Sequence, residues 1–296
     1  INAVYGFVSI TLRVIDELKP DNLVVCFDRP KPTFRQEIFI GYQAKRPKMD
    51  EGLAGQIEMV HEVVRSLKIP IYELDGYEAD DVMGTLSKQA VKLITNNKKH
   101  STNNKKNKTE IIIVSGDRDL LQLVDEHTKI YMPTKGLSEA KLYGGKEVEE
   151  KFGIKPEQVI DYKALIGDAS DNYGGIVGIG PKTAAGLIAE YKTLDNIYQN
   201  LAKIKPVISE KLKDGKESAL LAKKLATIIR DAPVELKIAG SEVKDMINDE
   251  SLEIFDRFEF HTLLKRVPGY KGSDVEEKKV VKKQKNKVSE NQMGLF

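Results

Sequence analysis

The chain is short of the side chains that many enzyme classes depend on. Its 296 residues include one cysteine, Cys26, four histidines and no tryptophan. A single cysteine rules out any disulfide within the chain and fits a reducing compartment. His61, His100, His127 and His261 lie scattered, and none has metal-ligand spacing. No Ser/His/Asp or Cys/His nucleophile set is visible, and no P-loop pattern occurs. The longest apolar runs are about five residues, too short to span a bilayer. There is no signal-peptide pattern, so no membrane partner and a cytoplasmic location are expected. The first residue is Ile, not Met, and the start of the natural chain is expected to be missing.

Acidic side chains are present in a pattern. Eight of them fall into four clusters: Asp28 in LVVCFD, Glu78, Asp80 and Asp81 in GYEADD, Asp117 and Asp119 in IIIVSGDRD, and Asp168 and Asp171 in LIGDASDN. Three of these clusters close an apolar run. A carboxylate beside a buried strand is costly unless a cation or hydrogen bonds offset its charge. Several at one place repel each other and call for metal, and oxygen ligands without Cys or a His cluster point to Mg²⁺ or Mn²⁺. Singly each cluster is weak, because GD and SD pairs are common turn formers. The glycine turn GIGPKTA, residues 178–184, follows the last cluster and leads into a basic helix start.

Net charge is +2, unevenly spread. Residues 96–109 carry five Lys and no acid, and residues 271–296 carry seven Lys and four acids. The remainder holds 35 basic and 41 acidic residues, a net −6. An acidic centre with basic appendages suits an enzyme that holds cations inside and touches polyanions at its edges. The insert 96–109 itself reads as a disordered, solvated segment.

Apolar spacing predicts helices over 3–18, 56–67 and 78–95, and strands over 22–28, 69–74, 111–115 and 129–132. Strand 22–28 is apolar throughout, as expected when both faces are covered. Alternating helices and apolar strands imply an α/β domain with a mainly parallel central sheet, whose ligands bind beyond the carboxyl ends of the strands. Asp28, Asp117 and Asp119 lie at such ends. Beyond about residue 137 the chain reads as helical, with helices near 146–152, 156–166, 181–191, 194–202, 206–213, 216–229 and 250–259. From 271 onward a flexible tail is expected.

The stretches NAVYGF (2–7), VVCFDRPKPTFRQE (24–37), GYEADD (76–81), SGDRDLLQLV (115–124), DYKALIGDASDN (161–172) and GIGPKTA (178–184) together resemble the 5′ nuclease (flap endonuclease) family. It is similar to the form found as the 5′–3′ exonuclease domain of bacterial DNA polymerase I, and the resemblance runs from residue 2 to about 266. It implies a PIN/resolvase-like α/β nuclease core over 1–136 and a helix–three-turn–helix DNA-binding domain over 137–266. A flexible basic tail over 267–296 completes the expected domains. It also implies hydrolysis of DNA phosphodiesters at 5′ flaps and 5′ ends in primer removal and repair. The chain is then a monomer associated with the bacterial nucleoid.

Carried over residue by residue, the resemblance gives a first metal group of Asp28, Glu78 and Asp80 with Asp81 beside them. The second group is Asp117, Asp119, Asp168 and Asp171. Two or more Mg²⁺ or Mn²⁺ ions would ready a water and offset charge on the leaving oxygen. The family's turn commonly holds a potassium ion, and here Gly178, Gly180, Lys182 and Thr183 would meet duplex phosphates. Segment 33–55, within about 30–55, matches the helical arch through which a 5′ single strand passes. Arg35, Lys45 and Arg46 would meet phosphates there, and Tyr42 would stack on a base.

Three positions depart from the family pattern. A first strand with a further Asp ligand is expected upstream of Ile1 and to sit centrally beside residues 22–28. Gln43 stands where a Lys usually helps neutralise the scissile phosphate, and Lys45 is the candidate substitute. Gly174-Gly175 replaces Pro-Gly. The first two departures support a rival reading, a structure-specific DNA-binding module with weak or lost catalysis. A second rival is an RNase of related acidic-site fold, against which the helix–three-turn–helix argues. Finally, Gln292, Met293, Leu295 and Phe296 resemble the bacterial sliding-clamp-binding motif. The clamp is therefore an expected partner, and a stand-alone nuclease the expected form.

Overall fold

A computed structural model describes residues 1–100, 109–135, 139–244 and 246–272. The core of the insert and the clamp-motif residues Gln292, Met293, Leu295 and Phe296 lie outside the described residues. The chain forms two compact units, each assembled from separate stretches. One contains Ile1–Val25, Met49–Ile71 and the chain from Lys237 onward, and the other contains Cys26–Lys48 and Tyr72–Leu236. The sequence reading placed its boundaries at 136 and 266 instead. Packing joins segments distant in sequence, and composition along the chain carries no mark of that.

The first unit is helical. Helix Asn2–Leu18 buries Val4, Val8, Leu12 and Ile15, which recur at the spacing of one helix face. It ends at Lys19 in a left-handed conformation, φ 47°, just before Pro20. Helix Glu51–Ser66 starts at Asp50, whose carboxylate accepts the Gly52 N–H at 2.8 Å. Helix Asp249–Arg257 is capped by Asn248 and buries Ile254 and Phe255. Phe260 joins this cluster edge-on to both Phe255 and Tyr5.

The second unit carries the acids. Strand Ile111–Val114 pairs parallel with Thr128–Lys135, and Glu139–Tyr143 adds antiparallel on the other edge. Helix Ala79–His100 and the helices from Gly145–Phe152 to Lys216–Ala226 belong to the same unit. Leu120, Leu123, Ile130, Tyr143, Leu165, Ile188, Leu194 and Leu212 form a continuous buried core. Parallel pairing among the described strands joins Ile111–Val114 to the next strand, and it recurs where the Val25 and Phe27 N–H groups donate to the Pro70 and Tyr72 carbonyls. Of the apolar run 22–28 only Val25–Cys26 is strand, and it is half-buried. It pairs with Ile71–Tyr72.

Candidate metal centre

Each acid is held by the end of an element. Asp28 follows Val25–Cys26, and its Oδ1 accepts the Ala79 N–H at 2.7 Å, at the start of helix Ala79–His100. Asp80 and Asp81 sit in the first turn of that helix, where free N–H groups favour negative charge. Asp117 follows strand Ile111–Val114 and accepts the Asp119 N–H at 2.8 Å. Asp168 and Asp171 lie in a tight loop closed by pairing of Gly167 with Gly174. Gly167 has φ 74°, and a Cβ there would stand 2.3 Å from the Gly175 nitrogen. A Cβ on Gly175 would stand 2.3 Å from the Leu165 oxygen. No side chain fits at either place, so these glycines allow the close backbone approach that presents the DASD loop.

Six of the eight acids line one cleft of about 480 Å³: Asp28, Glu78, Asp80, Asp117, Asp119 and Asp171. Arg29, Lys31, Arg35 and Arg46 line it too. Asp119, Asp168 and Asp171 offer carboxylate oxygens within 4.8 Å of one another. This donor set is all oxygen, without Cys or His, and fits a hard divalent cation. The electrostatics agree. Burial, opposed by Arg35 and reinforced by Asp81, Asp171 and Asp28, pushes the Glu78 carboxyl up to about 7. Burial together with Asp117, Glu78, Asp119 and Asp28 pushes Asp80 up to about 8. Asp119 rises to about 6 through burial, against the pull of Lys163. Carboxyls raised by burial and by one another are groups whose charge a bound cation stabilises.

Cations and donors of the chain already touch the acids. Lys163, on helix Val159–Ile166, reaches between Asp119 Oδ1 and Asp168 Oδ2. Burial disfavours the Asp168 charge, yet Lys163 and Ser170 hold its carboxyl below the usual range. Asp171 receives Arg46 at 2.6 Å, Tyr42 at 3.2 Å and Gln43 at 3.3 Å. Tyr42 and Gln43 also reach Glu78, at 3.2 and 3.3 Å. Gln43 adopts φ 55°, and its own N–H bonds the Asp171 carbonyl at 2.9 Å.

The glycine turn is open to solvent. Gly178, with φ 76°, Gly180 and Lys182 are exposed, and Thr183 is half-exposed. Gly180 caps helix Pro181–Tyr191 in an extended conformation. The turn rests on Ile176 and Ile179, both buried, while Val177 between them is 91% exposed. Lys211 donates to the Gly178 carbonyl at 3.2 Å and adds a positive charge beside the turn.

The comparison with known families decides the relationship. The family described as 5′-3′ exonuclease, N-terminal resolvase-like domain, matches residues 1–153. Its companion, the 5′-3′ exonuclease C-terminal SAM fold, matches residues 154–249. The chain belongs to the 5′-3′ exonuclease family. It is 40% identical over 268 residues to DNA polymerase I of Caldicellulosiruptor bescii, covering 90% of this chain and 30% of that protein. It is 36% identical over 267 residues to DNA polymerase I of Bacillus subtilis, covering 90% and 29%. The chain thus spans about 30% of the length of these relatives. Among solved structures it is similar to the T5 D15 protein co-crystallized with metal ions, with a TM-score of 0.61 and 21% identity. That match covers 89% of this chain and 92% of the other. The catalytic core of Rad2 in complex with DNA substrate gives a TM-score of 0.52 at 18% identity, over 93% and 82% of the two chains. At these identities the two structures establish the fold alone, which agrees with the resolvase-like core and following helical part expected from the sequence.

Within this 5′-3′ exonuclease chain, three sequence expectations need correcting. Arg35 is 2% exposed and forms a bidentate pair with Asp81, at 2.7 and 2.8 Å. It also donates to the Leu225 and Thr227 carbonyls, so its donors are spent inside the protein and none faces a phosphate. Asp81 is fully buried, and its oxygens are committed to Arg35, the Ile229 N–H and the Glu78 N–H. It is therefore a buttress, not a free ligand. Tyr42 is 4% exposed with its ring stacked on Tyr173, which leaves no face for a base. Arg46 is placed at the acids, while Lys45 is exposed beside it. Sequence reasoning missed Lys163. Its place in DYKALIGD, one turn before the loop acids, was the available signal.

Proposed function

We propose that the chain is a divalent-metal-dependent 5′–3′ exodeoxyribonuclease and 5′ flap endonuclease that acts on DNA as a monomer. The observation that carries this reading is the convergence of six carboxylates from four separate stretches in one cleft. Asp28, Glu78 and Asp80 would hold one ion, and Asp117, Asp119, Asp168 and Asp171 a second. When bound, Mg²⁺ or Mn²⁺ would supply Lewis acidity that readies water and offsets charge on the phosphodiester. The chain's own residues orient and hold the DNA. Arg46, with its side chain 52% exposed, can exchange Asp171 for a phosphate oxygen. The Gly178–Thr183 turn and Lys182 would grip duplex phosphate, with potassium as a further cation of the turn. Gln43 contributes amide hydrogen bonds where a cation would contribute charge.

Cleavage of an end-labelled 5′-flap duplex tests the proposal. Product with Mg²⁺, none with chelator, and none from structured RNA supports it. The second reading, a structure-specific binder with weak catalysis, is favoured by the neutral Gln43 against Glu78 and Asp171. It predicts flap binding without product. The sliding clamp remains a proposed partner through Gln292, Met293, Leu295 and Phe296. Binding of a labelled 285–296 peptide, lost on changing Leu295 and Phe296 to Ala, tests it.

A further inference from the structure

Asp168 has little freedom in how it can meet a cation. Its Oδ1 accepts the Ser170 N–H at 2.8 Å, the Ser170 hydroxyl at 2.5 Å and the Asp171 N–H at 3.4 Å. Those bonds fold the DASD loop, so Oδ1 is committed to the loop's own donors. Only Oδ2 faces outward, and Lys163 Nζ occupies it at 2.5 Å. The same ammonium contacts Asp119 Oδ1. Lys163 thus takes up two of the three carboxylates whose oxygens approach within 4.8 Å. The third, Asp171, is held by Arg46 instead. The two cations differ in exposure. The Arg46 side chain is 52% exposed and Lys163 only 13%. Ala164 and Leu165 beside Lys163 are fully buried, which fixes the backbone while leaving a flexible four-carbon stem.

We infer that Lys163 is a built-in competitor for the second cation: it occupies Asp119 Oδ1 and Asp168 Oδ2, and an ion binds these oxygens only as the ammonium withdraws. This rests on the metal reading above and adds a threshold to it. A compact ammonium satisfies two carboxylates with single hydrogen bonds, whereas a divalent ion gathers all three and carries twice the charge. Loading at this trio is therefore coupled to movement of Lys163. A purely positioning lysine makes the opposite prediction. If it served to hold Asp119 and Asp168 in place for the ion, its loss would weaken metal binding.

The test is Mn²⁺ titration of the full chain by calorimetry, at fixed pH and salt, with Lys163→Met and Lys163→Arg alongside. Removing the competing charge-assisted hydrogen bonds should tighten Mn²⁺ binding in Lys163→Met by about tenfold. Lys163→Arg keeps a competing cation and should stay within about threefold of the parent. Affinity in Lys163→Met that is unchanged or weaker, beside normal parental binding and cleavage, overturns this inference alone. Absence of Mn²⁺ binding in the parent overturns the metal reading and this inference with it. The parent also supplies a check that needs no variant. In protein labelled at the lysine side-chain nitrogen, the Lys163 resonance should shift on saturation with Mg²⁺, and an unmoved resonance refutes the competition.

Discussion

Asp117 is the acid whose loss should disturb its surroundings least. It is exposed, and its side chain accepts one backbone N–H, from Asp119. Asp117→Ala should lower flap cleavage by at least about 100-fold, as expected for a lost metal contact. Flap binding should hold or tighten, because one repulsive charge is gone. Cleavage above a tenth of the parental rate would remove Asp117 from the metal group. Arg35 calls for the opposite result. Arg35→Met leaves buried Asp81 unpaired, and breaking such a pair costs about 3–5 kcal/mol. Urea denaturation reads this cost directly, and a loss under about 1 kcal/mol would contradict the buttress role. Adding Asp81→Asn should recover part of the loss, since the two changes share one interaction. The contrast shows what sequence conveys at this scale. A carboxylate at a strand end is legible because its placement needs a cation. The inward turn of Arg35 and Tyr42 is not, because a polar, basic and aromatic stretch reads as surface. Lys163 is hidden for a similar reason: a lone lysine on a helix is ordinarily a solvated one.

At the scale of elements, the glycines around the DASD loop separate steric need from habit. A Cβ on Gly167 or Gly175 would stand 2.3 Å from a backbone atom, while one on Gly174 would meet nothing within 4 Å. Gly167→Ala should cost about 2 kcal/mol or more, through strain at positive φ and backbone overlap. Gly174→Ala should stay within about 0.5 kcal/mol. Equal effects at both positions would show that the loop relaxes. The glycine turn is tested through binding instead. Lys182→Ala should weaken duplex binding alike for all sequences and lower the salt slope by about one unit. A sequence-dependent loss would mean base contact. Sequence periodicity served the helices well here. Helix Pro181–Tyr191 has the predicted bounds, because Gly180-Pro181 marks its start and apolar spacing continues to Tyr191. Strands were less legible. Glu139–Tyr143 was missed because its alternation runs through Glu, Ala and Lys, with only Tyr143 fully buried. Its existence depends on a partner strand, and a local window does not contain that partner.

At the scale of the whole molecule, the acids couple stability, pH and metal. The Glu78, Asp80 and Asp119 carboxyls stand at about 7, 8 and 6, far above their ordinary range. In the absence of divalent metal, the folded chain therefore holds protons that the unfolded chain has already released above about pH 4. Where the folded state binds more protons, stability falls as pH rises. The loss should begin near pH 4 and extend to about pH 8, the highest of the three values. The carboxyls held low act elsewhere. Asp168, Asp75 and Glu147 contribute stability that is lost only as pH falls below their ordinary range. Lys163 is raised and acts only at alkaline pH. Between about pH 5 and pH 8 the melting temperature of chelator-treated protein should therefore decline. Saturating Mg²⁺ should remove most of the decline, because a cation that binds ionised carboxylates replaces the protons and stabilises the fold by mass action. By the same linkage, metal affinity should rise across this interval, since each ion must displace protons. Thermal melts at three pH values, with chelator and with Mg²⁺, measure both slopes. A metal-free melting temperature that climbs from pH 5 to pH 8 would mean that the acids ionise freely and do not share one crowded cleft.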